Sequence, residues 1–178
     1  MNTFWTTGYE RTSMPELLEA MRINRGSFYD TYGSKRDILL QALEYYGETV
    51  MRKAFADARR RNEPDQTILA FFDWLLRQSI GAGAKRGCFF VNCALELAPS
   101  DPQVARRVRR ATREMEEFFR LCLVEGRSAG SVSRDLDPGE TARSLVALAM
   151  GMRVLARSGA KRSSLESVTR QVGFMIAS

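Results

Sequence analysis

The clearest pattern of polar and apolar positions lies in residues 12–36, where two short helical stretches are separated by a tight turn. Ser13 or its neighbour Thr12 can cap the first stretch, and a proline follows inside its first turn. Its apolar stripe consists of Leu17, Leu18 and Met21. The second stretch, Arg25 to Tyr32, has roughly two turns and is too short to be stable alone. A short exposed helix held by a longer one is typical of a helix-turn-helix, whose second helix enters the DNA major groove.

The second helix therefore supplies the candidate DNA-facing side chains. An arginine at its start can donate two hydrogen bonds to a guanine edge, while hydroxyl groups suit phosphates or thymine methyl groups. The starts of the first and third helices also offer N–H groups to phosphates. The predicted DNA-binding residues are Thr12, Ser13, Arg25, Gly26, Ser27, Tyr29, Thr31, Tyr32 and Lys35. The alternative is a purely structural three-helix unit in which the tyrosines pack internally.

Apolar residues recur at helical spacing in the rest of the chain, and no stretch has the pattern of a β-strand. Capping residues followed by proline mark several helix starts, and glycine or proline marks the ends. The predicted helices cover approximately residues 34–61, 64–80, 88–98, 101–125, 137–157 and 163–178, with a flexible break at 81–87. The sequence thus predicts an all-α fold without internal repeats.

The last two predicted helices share an apolar seam with steps of three and four residues. Two such helices bury each other only in part and leave some apolar surface uncovered. A symmetric second copy would cover it and complete a four-helix bundle. The predicted dimer interface consists of Leu145, Leu148, Met152, Leu155, Leu165, Val168, Val172 and Met175.

Composition narrows the class of protein. The 178 residues are 44% hydrophobic and 27% charged, which is ordinary for a globular protein. No apolar run is long enough for a transmembrane helix, and no signal-peptide pattern is present, so no membrane partner is expected. Three cysteines, an odd number, favour a reducing cytoplasm over a disulfide framework. The absence of histidine removes the commonest general base and metal ligand, and we expect no enzyme, no metal and no cofactor.

The net charge of +6 adds little to the DNA interpretation. Residues 1–63 hold ten Lys/Arg and nine Asp/Glu, a net charge of +1, and the remaining residues carry +5. The arginines at 106–113 are therefore expected to form a solvated face paired with glutamates rather than a DNA contact.

Two sequence blocks resemble a known family. The spacing GY-x-x-TS-x-x-x-L followed by RGSFYDTYGSKRDIL, over Phe4 to Leu43, is similar to the DNA-binding domain of TetR-type transcriptional repressors. The block RGCFFVNCALELA resembles one subgroup of these regulators. In similar sequences glycine usually stands at the position of Arg22, where the turn needs a positive φ. A helix of about four turns precedes Gly8 in that family. We expect its missing part to lie upstream of Met1, and the alternative is a domain that is truncated at this helix.

The resemblance implies a sequence-specific DNA-binding regulator, a repressor released by a small-molecule effector. A helix-turn-helix domain at residues 1–44 would be followed by an effector-binding and dimerisation domain at 45–178. A homodimer would bind a palindromic operator in double-stranded DNA. The alternative is a helical ligand-binding or interaction protein that no longer binds DNA.

The family resemblance also implies an effector cavity among the middle helices. The predicted lining is Phe72, Trp74, Phe89, Asn92, Cys93, Glu96, Met115, Phe118, Phe119 and Met150. Asn92 and Glu96 lie four residues apart on an apolar helix, where they either contact a ligand or are satisfied internally or by solvent. Cys88 follows two cations, which favours a thiolate sensor, but burial as a small core residue is the favoured interpretation for all three cysteines.

Overall fold

The computed structural model describes residues 1–60 and 63–177, and these residues form helices and connecting segments without a strand. The predicted all-α fold is confirmed. The helices are α1 (Asn2–Thr7), α2 (Met14–Met21), α3 (Arg25–Tyr32), α4 (Lys35–Tyr46), a π-helical segment (Gly47–Arg52), α5 (Lys53–Arg59), α6 (Pro64–Gln78), α7 (Ala82–Arg86), α8 (Phe89–Glu96), α9 (Pro102–Ala129), α10 (Pro138–Arg157) and α11 (Arg162–Ile176). None of these described helices is both long and apolar enough to cross a membrane.

Local hydrogen bonds cap the starts of α2 and α3. Ser13 Oγ accepts a hydrogen bond from the Glu16 N–H at 3.3 Å, and the Glu16 carboxylate accepts one from the Ser13 N–H at 2.7 Å. α2 ends at Arg22, whose φ of 55° and ψ of 41° confirm the predicted left-handed conformation. Asn24 then caps α3, since its Oδ1 accepts from the Ser27 N–H at 2.8 Å.

A small apolar core holds these first helices together. Phe4, Leu17, Phe28 and Leu39 are almost inaccessible to solvent. Phe28 is the single fully buried side chain among the described residues of α3, so this helix is anchored on one side and presents its other side outward. α1 ends at Gly8 with φ 93°, which confirms the predicted glycine stop.

A long helix connects this region to the rest of the chain. α4 passes into the π-helical segment without leaving helical geometry, since Tyr46 and Gly47 both have right-handed helical dihedrals, and α5 continues it. The course of the helix predicted from residue 34 is thereby confirmed. Its predicted end at Arg61 lies outside the described residues.

The C-terminal helices pack around α9, which contacts α4, α6, α8 and α10. Two predictions here were wrong. The expected flexible break at 81–87 contains the short helix α7, bounded by Gly81 and Gly87 with φ of 62° and 64°. α9 continues past the predicted end at Glu125 to Ala129, and Gly126 within it leaves room for Val132. A Cβ at that position would lie 2.5 Å from a Val132 methyl carbon.

Candidate functional site

The outer face of α3 is the candidate DNA-binding surface. Arg25, Gly26, Ser27 and Thr31 are exposed, and Tyr29 exposes 42% of its area. The Arg25 guanidinium lies 5.8 Å from the centre of the Tyr29 ring, so the two side chains form one exposed group. This surface can offer hydrogen-bond donors and an aromatic edge to a nucleic-acid groove.

The prediction for Thr12 was wrong. Thr12 is fully buried, its hydroxyl donates a hydrogen bond to the Gly8 carbonyl at 2.6 Å, and its N–H donates to the Tyr9 carbonyl at 3.2 Å. The residue therefore closes the turn between α1 and α2 and has no group available to phosphate. Ser13 is exposed, although its hydroxyl already donates to the Glu16 carboxylate at 2.8 Å.

Two further predicted contacts lie at the edge of this surface. Tyr32 is half-buried and packs on Phe28, with ring centres 5.6 Å apart. The Lys35 ammonium lies 4.3 Å from the centre of the Tyr9 ring, at the start of α4. Both positions can contribute to DNA binding beside α3, and this role stays a prediction.

A mainly apolar cavity lies between α1, the end of α4, the π-helical segment, α6, α8, α9 and α10. The cavity has a volume of about 40 Å³ and is partly open to solvent. Three predicted lining residues, Trp74, Met115 and Met150, do line it. The full lining is Trp5, Tyr46, Val50, Met51, Trp74, Leu75, Gln78, Cys88, Phe90, Val91, Ala111, Thr112, Met115, Ala149, Met150 and Arg153.

The other apolar lining predictions were wrong, because these side chains form the core beside the cavity. Phe118 stacks on Phe55 at 4.4 Å between ring centres, and Phe72 stacks on Phe119 at 5.8 Å. The predicted residues that are buried without lining the cavity are Phe72, Phe89, Cys93, Phe118 and Phe119. Helical spacing alone does not distinguish a cavity wall from a filled core.

Asn92 and Glu96 follow the alternative in which polar groups are satisfied within the protein. Asn92 Nδ2 donates to the Arg86 carbonyl at 2.8 Å. The two Glu96 oxygens accept from the backbone N–H groups of Tyr9 at 3.3 Å and Glu10 at 2.9 Å. Both residues line a second, more open pocket, so they do not line the apolar cavity. Glu96 instead joins α8 to the turn after α1.

Arg153 and Tyr46 are polar lining residues that the sequence interpretation missed. Arg153 is buried, although it belongs to a helix whose sequence from Leu145 to Ala156 is otherwise apolar. A single cation in an apolar helical segment was the sequence feature that could have indicated a polar group in the cavity wall. The Tyr46 hydroxyl donates to Cys88 Sγ at 3.7 Å, and burial raises the pKa of Tyr46 well above its usual value.

The three cysteines are buried and unpaired, which confirms their predicted core placement. Burial raises the pKa of the Cys93 thiol to about 12 and also raises the pKa of Cys122. Cys88 alone among them borders the cavity.

Comparison with known proteins identifies the family. The sequence model for bacterial regulatory proteins of the tetR family matches residues 1–42, and the model for the tetracyclin repressor-like C-terminal domain matches residues 64–172. Over 171 residues the chain is 30% identical to the uncharacterized HTH-type transcriptional regulator YezE of Bacillus subtilis (strain 168), covering 93% of this chain and 86% of that protein. The chain belongs to the tetR family.

Two other proteins are similar over most of their length. The HTH-type transcriptional repressor DhaR of Mycobacterium sp. (strain GP1) is 26% identical over 153 residues, 81% of this chain and 71% of that protein. A cysteine mutant of the TetR family transcriptional regulator CifR, complexed with 26bp double-strand operator DNA, superposes with a TM-score of 0.84. It is 25% identical and covers 97% of this chain and 90% of that one. The predicted family is confirmed, and the TetR-family chain is a DNA-binding transcriptional regulator.

Ion pairs connect the DNA-binding helices of this TetR-family chain to α9. Arg36 makes a bidentate pair with Asp101, with Nε–Oδ2 at 2.5 Å and Nη2–Oδ1 at 2.7 Å. Arg110, from the predicted solvated arginine face, pairs with Glu44 at 3.1 Å. The Arg36 guanidinium holds the pKa of the Asp101 carboxyl well below its usual range. α4 and α9 are thus coupled at charged contacts.

The predicted dimer seam divides into buried and accessible residues. Leu145, Met152, Leu165 and Val172 lie in the core of the single chain, so the prediction that they face a partner was wrong. Leu155 and Met175 are exposed, and Leu148 and Val168 are half-buried. The exposed Val154 and Phe174 were missed. In each helix the first and third positions of the 3–4–3 spacing face inward, because α10 and α11 pack on each other and on α6.

Proposed function

We propose that this TetR-family regulator is a repressor that a small-molecule effector releases from its operator. Residues 1–44 form the DNA-binding domain, and residues 45–178 bind the effector and dimerise. The observation that carries the proposal is the exposed face of α3, anchored by the buried Phe28 and joined through α4 to a chain segment with an apolar cavity. The resemblance to the repressor DhaR supports repression rather than activation.

In this proposal α3 enters the major groove. Arg25 contacts a base edge, while Ser27, Tyr29 and Thr31 contact phosphates or a thymine methyl group. Gly26 allows the backbone to approach the DNA, and Ser13, Tyr32 and Lys35 contact the flanking backbone. The protein acts in the cytoplasm and binds its effector without converting it.

A second copy covers the exposed apolar residues of α10 and α11. Val154 and Leu155 of α10 and Phe174 and Met175 of α11 are exposed in the single chain. Apolar residues exposed on neighbouring helices favour association with a partner. Two copies related by a two-fold axis would place two α3 helices on the half-sites of a palindromic operator.

The effector acts by changing the position of α3 relative to its partner copy. Contacts between the two domains, such as the Arg36–Asp101 pair and the Glu96 contact with Tyr9 and Glu10, support transmission of movement from the cavity region. An effector that binds one arrangement of the domains better than the other shifts the population of DNA-binding dimers.

The test uses labelled duplexes from the DNA upstream of the regulator's own gene, at several salt concentrations. Specific binding should weaken as salt rises, as expected for phosphate contacts. Arg25→Ala should lower the affinity by about 10- to 100-fold, the usual cost of a lost base contact. Arg109→Ala removes the same charge from an exposed position on α9 and serves as the matched control.

Two results would contradict the proposal. If no duplex from that region is bound in preference to unrelated DNA, the chain is a ligand-binding or interaction protein without an operator there. If Arg25→Ala and Arg109→Ala weaken binding equally, binding follows net charge rather than the face of α3.

A further inference from the structure

The cavity wall contains a buried cation without an acidic partner. Arg153 on α10 exposes only 5% of its area. Its guanidinium donates to Ser79 Oγ at 2.8 Å and to the Gly87 carbonyl, which are both neutral acceptors. Among residues 1–60 and 63–177, no aspartate or glutamate oxygen lies within 4.0 Å of it. The charge of this guanidinium is therefore uncompensated within the described chain.

A buried charge of this kind calls for a counter-ion. Arginine does not give up its proton in proteins, so it cannot become neutral as a buried lysine can. Burial lowers the pKa of Arg153, because removing the guanidinium from water disfavours its charged form. Tyr46 does not supply the missing charge, because burial raises the pKa of its hydroxyl and keeps it neutral at pH 7. Buried charges in proteins are normally paired, and this one borders open space.

The remaining cavity wall is mostly aromatic and apolar. The indoles of Trp5 and Trp74 and the ring of Phe90 line it, with Met115 and Met150 on other parts of the wall. Aromatic side chains prefer stacked or edge-to-face contact with other rings. An arginine guanidinium, in turn, matches the two oxygens of a carboxylate in a planar pair.

We propose that the cavity, which is about 40 Å³ in this structure, widens to bind an organic carboxylate with a flat apolar body, whose carboxylate pairs with Arg153. The assignment of this anion as the effector rests on the proposed function, whereas its binding can be measured without DNA. Arg153 supplies the charge recognition, and the aromatic wall supplies the apolar contact. Neutral molecules of the same shape leave the guanidinium unpaired and bind more weakly.

The test compares acids with their neutral amides on the full chain. The probes are benzoate with benzamide and 2-naphthoate with 2-naphthamide. Both tryptophans of the chain line the cavity, so intrinsic fluorescence reports occupation directly. At least one acid should bind about tenfold or more tightly than its amide, the range expected for a charge-assisted hydrogen bond. Equal affinities within each pair, or no saturable binding of either acid up to about 10 mM, would overturn the proposal.

Arg153→Met should remove the preference for the acid while leaving amide binding within about threefold. Arg157→Met removes the same group one helical turn later, outside the cavity, and should keep the preference. Arg153→Lys retains a charge and should keep a reduced preference. A preference that survives in Arg153→Met contradicts the proposal. If that variant does not fold, the comparison of acid with amide on the unchanged chain still decides it.

Cys88 offers an internal competitor, since its thiol borders the same cavity. If the acid preference is absent in the unchanged chain but present in Cys88→Ala, the cysteine thiolate is the counter-ion and the proposal fails.

Operator titrations separate the proposed anion site from the proposed function as a regulator. Acids that bind but do not change operator affinity contradict the effector role, and the anion site remains. If the chain binds the operator but neither acid, the proposed DNA-binding function stands and the proposed anion site is contradicted.

Discussion

Trp5 and Arg153 donate hydrogen bonds to the same oxygen, the backbone carbonyl of Gly87. The Trp5 indole Nε1 lies 3.1 Å from this oxygen, and the second donor is a terminal guanidinium nitrogen of Arg153. Trp5 belongs to α1 beside the DNA-binding helices, and Arg153 belongs to α10. A carbonyl oxygen accepts at most two strong hydrogen bonds, so a ligand that moves Arg153 changes the bond that Trp5 makes.

The first prediction concerns this shared acceptor. Trp5→Phe removes the indole donor but keeps an aromatic ring, and it should reduce the effect of 2-naphthoate on operator affinity by about fivefold or more. Binding of 2-naphthoate itself should weaken by less than that, because Arg153 remains. The lost hydrogen bond should cost about 1 kcal/mol of unfolding free energy. Operator titrations with and without the acid, and urea unfolding, measure these changes.

Trp74→Phe is the matched control for the shared acceptor. It also removes an indole from the cavity wall, but this indole does not bond to Gly87. The control should weaken 2-naphthoate binding through lost contact and preserve the acid's effect on operator affinity once the site is saturated. If both variants lose that effect equally, the Gly87 carbonyl does not couple the two sites.

The second prediction concerns the Arg36–Asp101 pair, which joins α4 to the start of α9. Asp101 also caps α9, since its Oδ1 accepts from the Gln103 and Val104 N–H groups at 2.9 and 3.2 Å. Asp101→Asn keeps a capping oxygen and removes the charge, whereas Asp101→Ala removes both. The alanine variant should therefore be less stable than the asparagine variant by about 1 kcal/mol.

The ion pair itself should show in the pH dependence of stability. Arg36 depresses the pKa of Asp101 in the folded chain, so its stabilisation is present above the unfolded value of about 3.9 and is lost as the pH falls further. The difference in urea stability between the unchanged chain and Asp101→Asn should be constant from about pH 7 to 5 and shrink at about pH 3.5. Glu117→Gln, in an exposed pair with Arg120, should have a smaller effect throughout. A difference that does not vary with pH would refute an ionic origin.

The third prediction concerns the left-handed turn residue. Arg22→Gly should raise the unfolding free energy by about 0.5–1 kcal/mol, because glycine adopts φ 55° without the strain of a Cβ atom. Gly130 has φ 77° and ψ 11°, and a Cβ built there has no neighbour within 4 Å. Gly130→Ala should therefore lower stability by about 1 kcal/mol through backbone strain alone. Changes of the same sign in both variants would show that the turn is not set by φ.

These local features were accessible from the sequence because each involves residues a few positions apart. The capping pair Ser13 and Glu16, the turn at Arg22 and the glycine stop at Gly8 follow from spacing and residue type. The same holds for the course of the long helix after Ser34. Such signals fix where helices begin and end, and they were enough to predict the fold class and the exposed helix α3.

The cavity was less predictable, because its polar groups are joined across the fold. Trp5 reaches Gly87 over 82 residues, and Arg153 reaches Ser79 over 74. Helical periodicity also does not say which apolar side of a helix faces inward when both sides carry apolar residues. Thus Leu145 and Leu155 belonged to one predicted seam, although the first is in the core and the second is exposed.

The last prediction tests which apolar residues join two copies. Phe174 exposes 74% of its area on α11, and Leu95 exposes 72% on α8. Phe174→Glu places a charge in the proposed interface and should yield monomers by light scattering, with helical content unchanged by circular dichroism, because an unpaired buried charge is costly. Leu95→Glu introduces the same charge at similar exposure outside the interface and should remain dimeric. If only Leu95→Glu dissociates the dimer, the interface lies on α8. If both variants remain dimeric, Phe174 is not part of the interface.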